Sequence, residues 1–187
     1  MNEILHKLLD VFVRYSVIFL ISLNSLALFY LIFTPLTIYP VYLLFSLVFE
    51  SISFVSMEST KSILINRDFL IELIPACIAG SAYFLLLMLN LSTPNINLKK
   101  RIYAIAFSFG IFLLINILRI FIFGILAYSG YEYFDFTHWF FWYFLSTLFV
   151  VGIWFAEVKI FKIKEIPFYS DIKFFFEKSA FGRKNRK

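Results

Sequence analysis

Apolar positions in this chain gather into five long blocks separated by short polar stretches. The blocks cover 11–33, 36–57, 73–91, 102–128 and 138–161. An apolar run of about 20 residues matches a hydrocarbon core of about 30 Å. Inside lipid, backbone polar groups have no water to pair with, so such runs must be helices or a closed barrel. The blocks lack the strict apolar–polar alternation of barrel strands, which excludes the barrel. The pattern predicts an all-α polytopic transmembrane helical bundle of about five spans over 1–161, with a basic tail over 162–187. Thr34-Pro35 divides the first two blocks. The polar stretch 58–72 carries Lys61, Asn66, Arg67 and Asp68, and Ile63-Leu64-Ile65 inside it suits a short strand or an interfacial segment. The first block is too long for a signal-peptide core and reads as retained. No internal repeat and no separate soluble domain are evident.

Composition strengthens this picture. Of 187 residues, 61% are hydrophobic and 16% charged. A soluble domain of this size could not hide so much apolar surface. The basic residues sit beside apolar blocks and form no basic face, so nucleic-acid binding is not expected. They do set an orientation. Lys99-Lys100-Arg101 and the tail, which ends Arg183-Lys184-Asn185-Arg186-Lys187, belong in the cytoplasm. The loop with Glu132 and Asp135 has no Lys or Arg and belongs outside. A multi-pass plasma-membrane protein with a cytoplasmic C-terminus is the expectation. At the N-terminus Lys7 and Arg14 face Glu3 and Asp10, so that segment favours neither side. The segment 166–176 suits either an interfacial amphipathic helix or a flexible basic tail.

Ionisable and nucleophilic residues inside spans are costly, and so are functional candidates. Cys77 is the only cysteine, so no disulfide can form within the chain. His6 and His138 are the only histidines, too few for most metal sites, and no metal or other cofactor is expected. At 1.5 Å per residue, Cys77 lies about 22 Å above Ser92, Arg119 about 26 Å above Ile102, and His138 about 31 Å above Lys159. Three different helices thus bring a thiol, a permanent cation and a titratable base to one outer depth. A neighbouring cation favours the reactive thiolate. His138 would take the thiol proton and return it to a leaving amine. Arg119 would stabilise an oxyanion with its fixed donors. Asn116, three residues before Arg119, and Asp135, three before His138, are candidate supporting groups.

Each residue also has a plainer reading. Cys77 would be a small buried hydrophobe. Arg119 would snorkel to the headgroups. His138, beside Trp139 and Trp142, would belong to an aromatic belt. Glu50 would be structural or a counter-ion for Arg119. The coincidence of depth favours a shared site.

Ala76-Cys77, Asn116-x-x-Arg119 and His138 at the head of the last span resemble the exosortase/archaeosortase family of membrane cysteine enzymes. The resemblance covers the stretch from Leu73 to Trp154. It implies a thiol protease/transpeptidase for protein sorting and cell-surface anchoring. Such an enzyme cleaves secreted substrate proteins near a C-terminal signal helix and joins the new C-terminus to a membrane lipid or other acceptor. On this chain it implies Cys77 as nucleophile, Arg119 as the family arginine and His138 as the third catalytic position, facing the extracellular side. Many bacterial members have Cys-Ser-Gly, whereas Cys77 is followed here by Ile78-Ala79-Gly80. That departure and the short chain fit a compact archaeal-type member. The alternatives are a small-solute transporter or solute-binding membrane subunit using Arg119 and Glu50, and a non-catalytic scaffold whose basic tail meets anionic lipid.

Overall fold

A computed structural model describes residues 2–23, 25–57 and 60–178. Four segments are helices long and apolar enough to cross a membrane: Leu26–Ser46, Pro75–Ser92, Leu98–Tyr128 and Phe134–Ile160. The helical bundle expected from the blocks is present, and the last three blocks fall where the pattern placed them.

The first two blocks do not. Instead of spans over 11–33 and 36–57, helix α1 occupies Asn2–Ser22 and α2 occupies Ser25–Ser46. Helix α2 runs straight through Pro35 and Pro40. Proline removes a backbone hydrogen bond, but apolar surroundings keep the rest of the helix paired, so it continues where an aqueous helix would stop. The end of the second block is a strand. Ser51-Ile52-Ser53-Phe54 alternates with period two, and β1 covers Ile52–Met57. Helix α1 is not among the four candidate spans, because Lys7, Asp10 and Arg14 interrupt its apolar run.

Strand β1 pairs antiparallel with β2 (Thr60–Ile65), which pairs antiparallel with β3 (Phe69–Leu73), in the order β1-β2-β3. Ile63-Leu64-Ile65 thus lies in a strand. Asn66 and Arg67 close the second hairpin with φ of 49° and 67°, the left-handed values that match a tight turn to strand twist. The chain then enters a one-turn helix α3 (Pro75–Ile78), α4 (Gly80–Ser92), α5 (Leu98–Tyr128), α6 (Phe134–Phe140), a π-helical turn (Phe141–Leu145), α7 (Ser146–Ile160) and α8 (Tyr169–Lys178).

The core of the bundle is aromatic. Fully buried Tyr83 on α4 stacks on Phe33 with centroids 3.6 Å apart and meets Phe109 and Phe112 of α5 edge-on. Such pairs add specific geometry to their burial. The last turns of α5 rise into the sheet, where Tyr128 packs on Phe49 and Phe69 and accepts a hydrogen bond from Asn66 at 3.0 Å. At the other end, Arg101 donates to the carbonyls of Leu91 and Thr93 at 2.7 and 2.9 Å. It thereby pairs carbonyls that the C-terminal end of α4 leaves without a helical partner, besides counting as one of three adjacent basic residues.

Close approach of β3, α2 and α5 depends on Gly124. A Cβ there would collide with the ring of buried Phe45 and lie 3.1 Å from Ile71 Cδ1. Gly124→Val is expected to lower stability by about 1–3 kcal/mol through overpacking. Gly110→Val, on the same helix with nothing within 4 Å of its Cβ, should not. Thermal unfolding of both variants in one detergent checks this.

Candidate active site

Cys77 sits in α3, just after the sheet. Ile74 is extended, Pro75 begins the turn, and the Cys77 amide donates to the Ile74 carbonyl at 2.9 Å. Proline suits this first helical position, since its missing donor would have no partner there. Ala79 then takes a left-handed conformation, φ 57°, and separates α3 from α4. Cys77 is thus held on an isolated turn at the mouth of its span. Gly80 follows, where a Cβ would lie 3.0 Å from the Tyr30 ring. Gly80 therefore serves packing against α2, and the residue in the left-handed conformation is Ala79.

Arg119 comes from α5. Its Nη1 donates to Ser146 Oγ at 2.9 Å, and its guanidinium stands 5.5 Å from the centroid of Trp142. Ser146 follows the π-helical turn, and its hydroxyl lies 3.0 Å from the Phe141 carbonyl that the widened turn presents. Irregular turns of this kind often mark functional positions. His138 comes from α6. Its ring stacks on Phe134 and lies edge-on to Phe123, with Trp142 5.8 Å away.

These three side chains line one cavity of about 320 Å³, together with Phe69 to Ile74, Phe123, Gly124, Phe134 and Trp142. The three candidates thus come from three helices to the lining of one cavity. Arg119 is within electrostatic range of both Cys77 and His138. No hydrogen bond joins the described side chains of Cys77 and His138, so the cavity holds a thiol and a base without a formed pair.

The supporting residues divide. Asn116 is buried and donates to the Cys77 carbonyl at 3.0 Å. It fixes the α3 turn and does not orient Arg119, whose partners are Ser146 and Trp142. Asp135 lies on α6 three residues before His138, but is exposed and makes no hydrogen bond to it. Glu50 stands apart, exposed beyond the end of α2 and outside the cavity lining. Glu50 makes no ion pair with Arg119 among the described residues, and the chain leaves α2 at Ser46 and enters the sheet at Ile52.

No family model, curated protein or solved structure matches the chain.

Sequence reasoning did not anticipate two parts of the site. One is β3 as its wall. A strand sends alternate side chains to opposite faces, yet every residue from Phe69 to Ile74 borders the cavity, so the cavity runs along the strand's edge. The other is Ser146, whose only signal was a hydroxyl one turn along from the aromatic run Trp139 to Phe144. Among the described residues no cluster of three His, Cys, Asp or Glu is placed to hold a metal.

Proposed function

We propose that this chain is a membrane cysteine protease/transpeptidase of the exosortase/archaeosortase kind, acting on an extended peptide delivered by a C-terminal signal helix. The observation that carries this reading is the single cavity shared by Cys77, Arg119 and His138. The cavity wall supports a peptide substrate. Asn66 donates to Ser51 at 2.8 Å, so the even-numbered positions of β2 direct their backbone groups at β1 and the odd-numbered ones at β3. Phe69, Ile71 and Leu73 therefore turn towards β2, and Leu70 turns its backbone N–H and C=O to the cavity side. A peptide laid along this edge would add a fourth strand, with affinity from main-chain hydrogen bonds and selection from side-chain pockets. Four residues past Leu73 the chain reaches Cys77.

In this reading the Cys77 thiol gives its proton to His138, and the resulting thiolate attacks the scissile carbonyl. The carbonyl oxygen becomes an oxyanion facing Arg119. The C–N bond then breaks, and His138 returns the proton to the leaving amine. The acyl group remains on sulfur as a thioester until an acceptor nucleophile takes it and the thiol is regenerated. Ser146 and Trp142 keep the Arg119 fork directed at the cavity. Glu50, which the transporter reading placed in the binding site with Arg119, is outside this cavity's lining.

Thiol reactivity tests the coupling. Sealed membranes are treated with a small impermeant maleimide at neutral pH, comparing wild type, Arg119→Ala and His138→Ala. Loss of a nearby opposite charge is expected to slow labelling of Cys77 by about tenfold in Arg119→Ala. Equal rates in all three proteins would remove the shared site.

A further inference from the structure

A second polar cluster lies at the opposite end of the bundle. Glu157 on α7 is wholly buried, as is Ser108 on α5, and Asn90 on α4 is 1% exposed. Asn90 Nδ2 donates to Glu157 Oε2 at 2.9 Å and to the Leu86 carbonyl at 3.1 Å, which uses both of its protons. Ser108 Oγ has one proton between two acceptors, Glu157 Oε2 and the Ala104 carbonyl. Two oxygens of the cluster, Glu157 Oε1 and Asn90 Oδ1, are buried with no hydrogen-bond partner among the described residues. Glu157 makes no ion pair among them either.

The cluster is rich in oxygen and short of positive charge. A carboxylate within an apolar span is too costly to stand uncompensated. It brings one formal negative charge, one amide oxygen and one hydroxyl oxygen from three different helices, so a single positive charge balances it and a divalent ion would be left in excess. We propose that Glu157, Asn90 and Ser108 bind a monovalent alkali cation that ties α4, α5 and α7 together. Oε1 and Oδ1, on two groups already in contact, are the oxygens that would meet it. The site is separate from the Cys77 cavity: Ser108 and Arg119 are eleven residues apart on α5, a rise of about 16 Å.

The test is thermal unfolding of the full chain in detergent, in sodium, potassium or choline chloride at one ionic strength. Sodium or potassium is expected to raise the unfolding temperature over choline, with a saturable dependence that Glu157→Gln abolishes. Ser108→Ala keeps the charge and removes the hydroxyl that bonds Glu157 Oε2 and orients the carboxylate, so its half-saturating concentration should rise by about tenfold, the scale on which losing one supporting group lowers metal affinity. This second variant decides the matter if Glu157→Gln does not fold. The proposal is overturned if neither cation stabilises wild type over choline, which would make Glu157 a neutral packing group. It is equally overturned if Glu157→Gln responds as wild type does, or if Ser108→Ala saturates at the wild-type concentration.

Discussion

If the proposed reading holds, cells in which Cys77→Ala replaces the wild-type chain are expected to keep uncleaved C-terminal signal helices on a subset of their secreted proteins, and cells lacking the gene should do the same. C-terminal mapping of the membrane proteome by mass spectrometry reads this even while the substrate is unidentified. The effect should be large because no other described side chain in the cavity is a comparable nucleophile at neutral pH. Removing the nucleophile of a linked catalytic group costs on the order of 10⁶-fold in turnover, as in hydrolases whose groups act as a unit. The fold should survive. Cys77 is only half-buried on a one-turn helix that is held by the Ile74 carbonyl and by Asn116 through its backbone, and alanine keeps both contacts. Arg119→Lys should fall between. It keeps the charge but loses the fork that holds Ser146 while facing the cavity, and the loss of one oxyanion donor costs about 10²–10³-fold. A transporter or scaffold would leave C-terminal processing unchanged in Cys77→Ala.

The sequence announced this site because membrane depth is a one-dimensional quantity. A helix rises at a fixed rate, so residues in different spans can be compared in level before any contact is known, and this comparison singles out Cys77, Arg119 and His138. Level does not give azimuth. Asn116 shares a helix face with Arg119, yet it bonds to the Cys77 backbone on another element. Glu50 shows the other weakness. Hydropathy treats 36–57 as one apolar run, and only the serine alternation near residue 52 marks where the helix yields to a strand. Glu157 looks like the polar end of the last span because Lys159 follows it. Its partners Asn90 and Ser108 sit singly in apolar runs, and nothing in the order of residues pairs them. The N-terminal segment is ambiguous in charge for a structural reason: Arg14 is a packing residue, not an orientation signal.

That role of Arg14 leads to the largest stability effect expected in the chain. Its guanidinium reaches three acceptors from three places: Asp10 at 3.0 Å, Ser92 carbonyl at 2.7 Å and Asp171 of α8 at 2.8 Å. Tyr15 adds a bond to Asp171 at 3.1 Å, and Lys7 lies 4.1 Å from the ring centroid of Phe174. The tail residues 169–178 are therefore a docked helix, where the sequence suits a helix and a flexible tail equally. Burial pulls the Arg14 guanidinium down, but the hydrogen bond and charge of Asp171 outweigh it and leave the group above its ordinary value. Asp171 is 3% exposed. Arg14→Ala strands this carboxylate without its partner and should cost about 3–5 kcal/mol, as breaking one side of a buried pair does. Replacing both residues by leucine removes the stranded charge, so the double variant should recover most of that loss. Unfolding in detergent measures the energies. Limited proteolysis locates them, since cleavage between 161 and 168 should rise in Arg14→Ala and return towards wild type in the double variant. Alkali should act on the same contact. Burial and the bond to Asp171 raise the Tyr15 phenol above its ordinary value. Its contribution is therefore complete below about pH 10 and is lost as pH rises through the raised value, which should expose the same segment to protease in the wild-type chain.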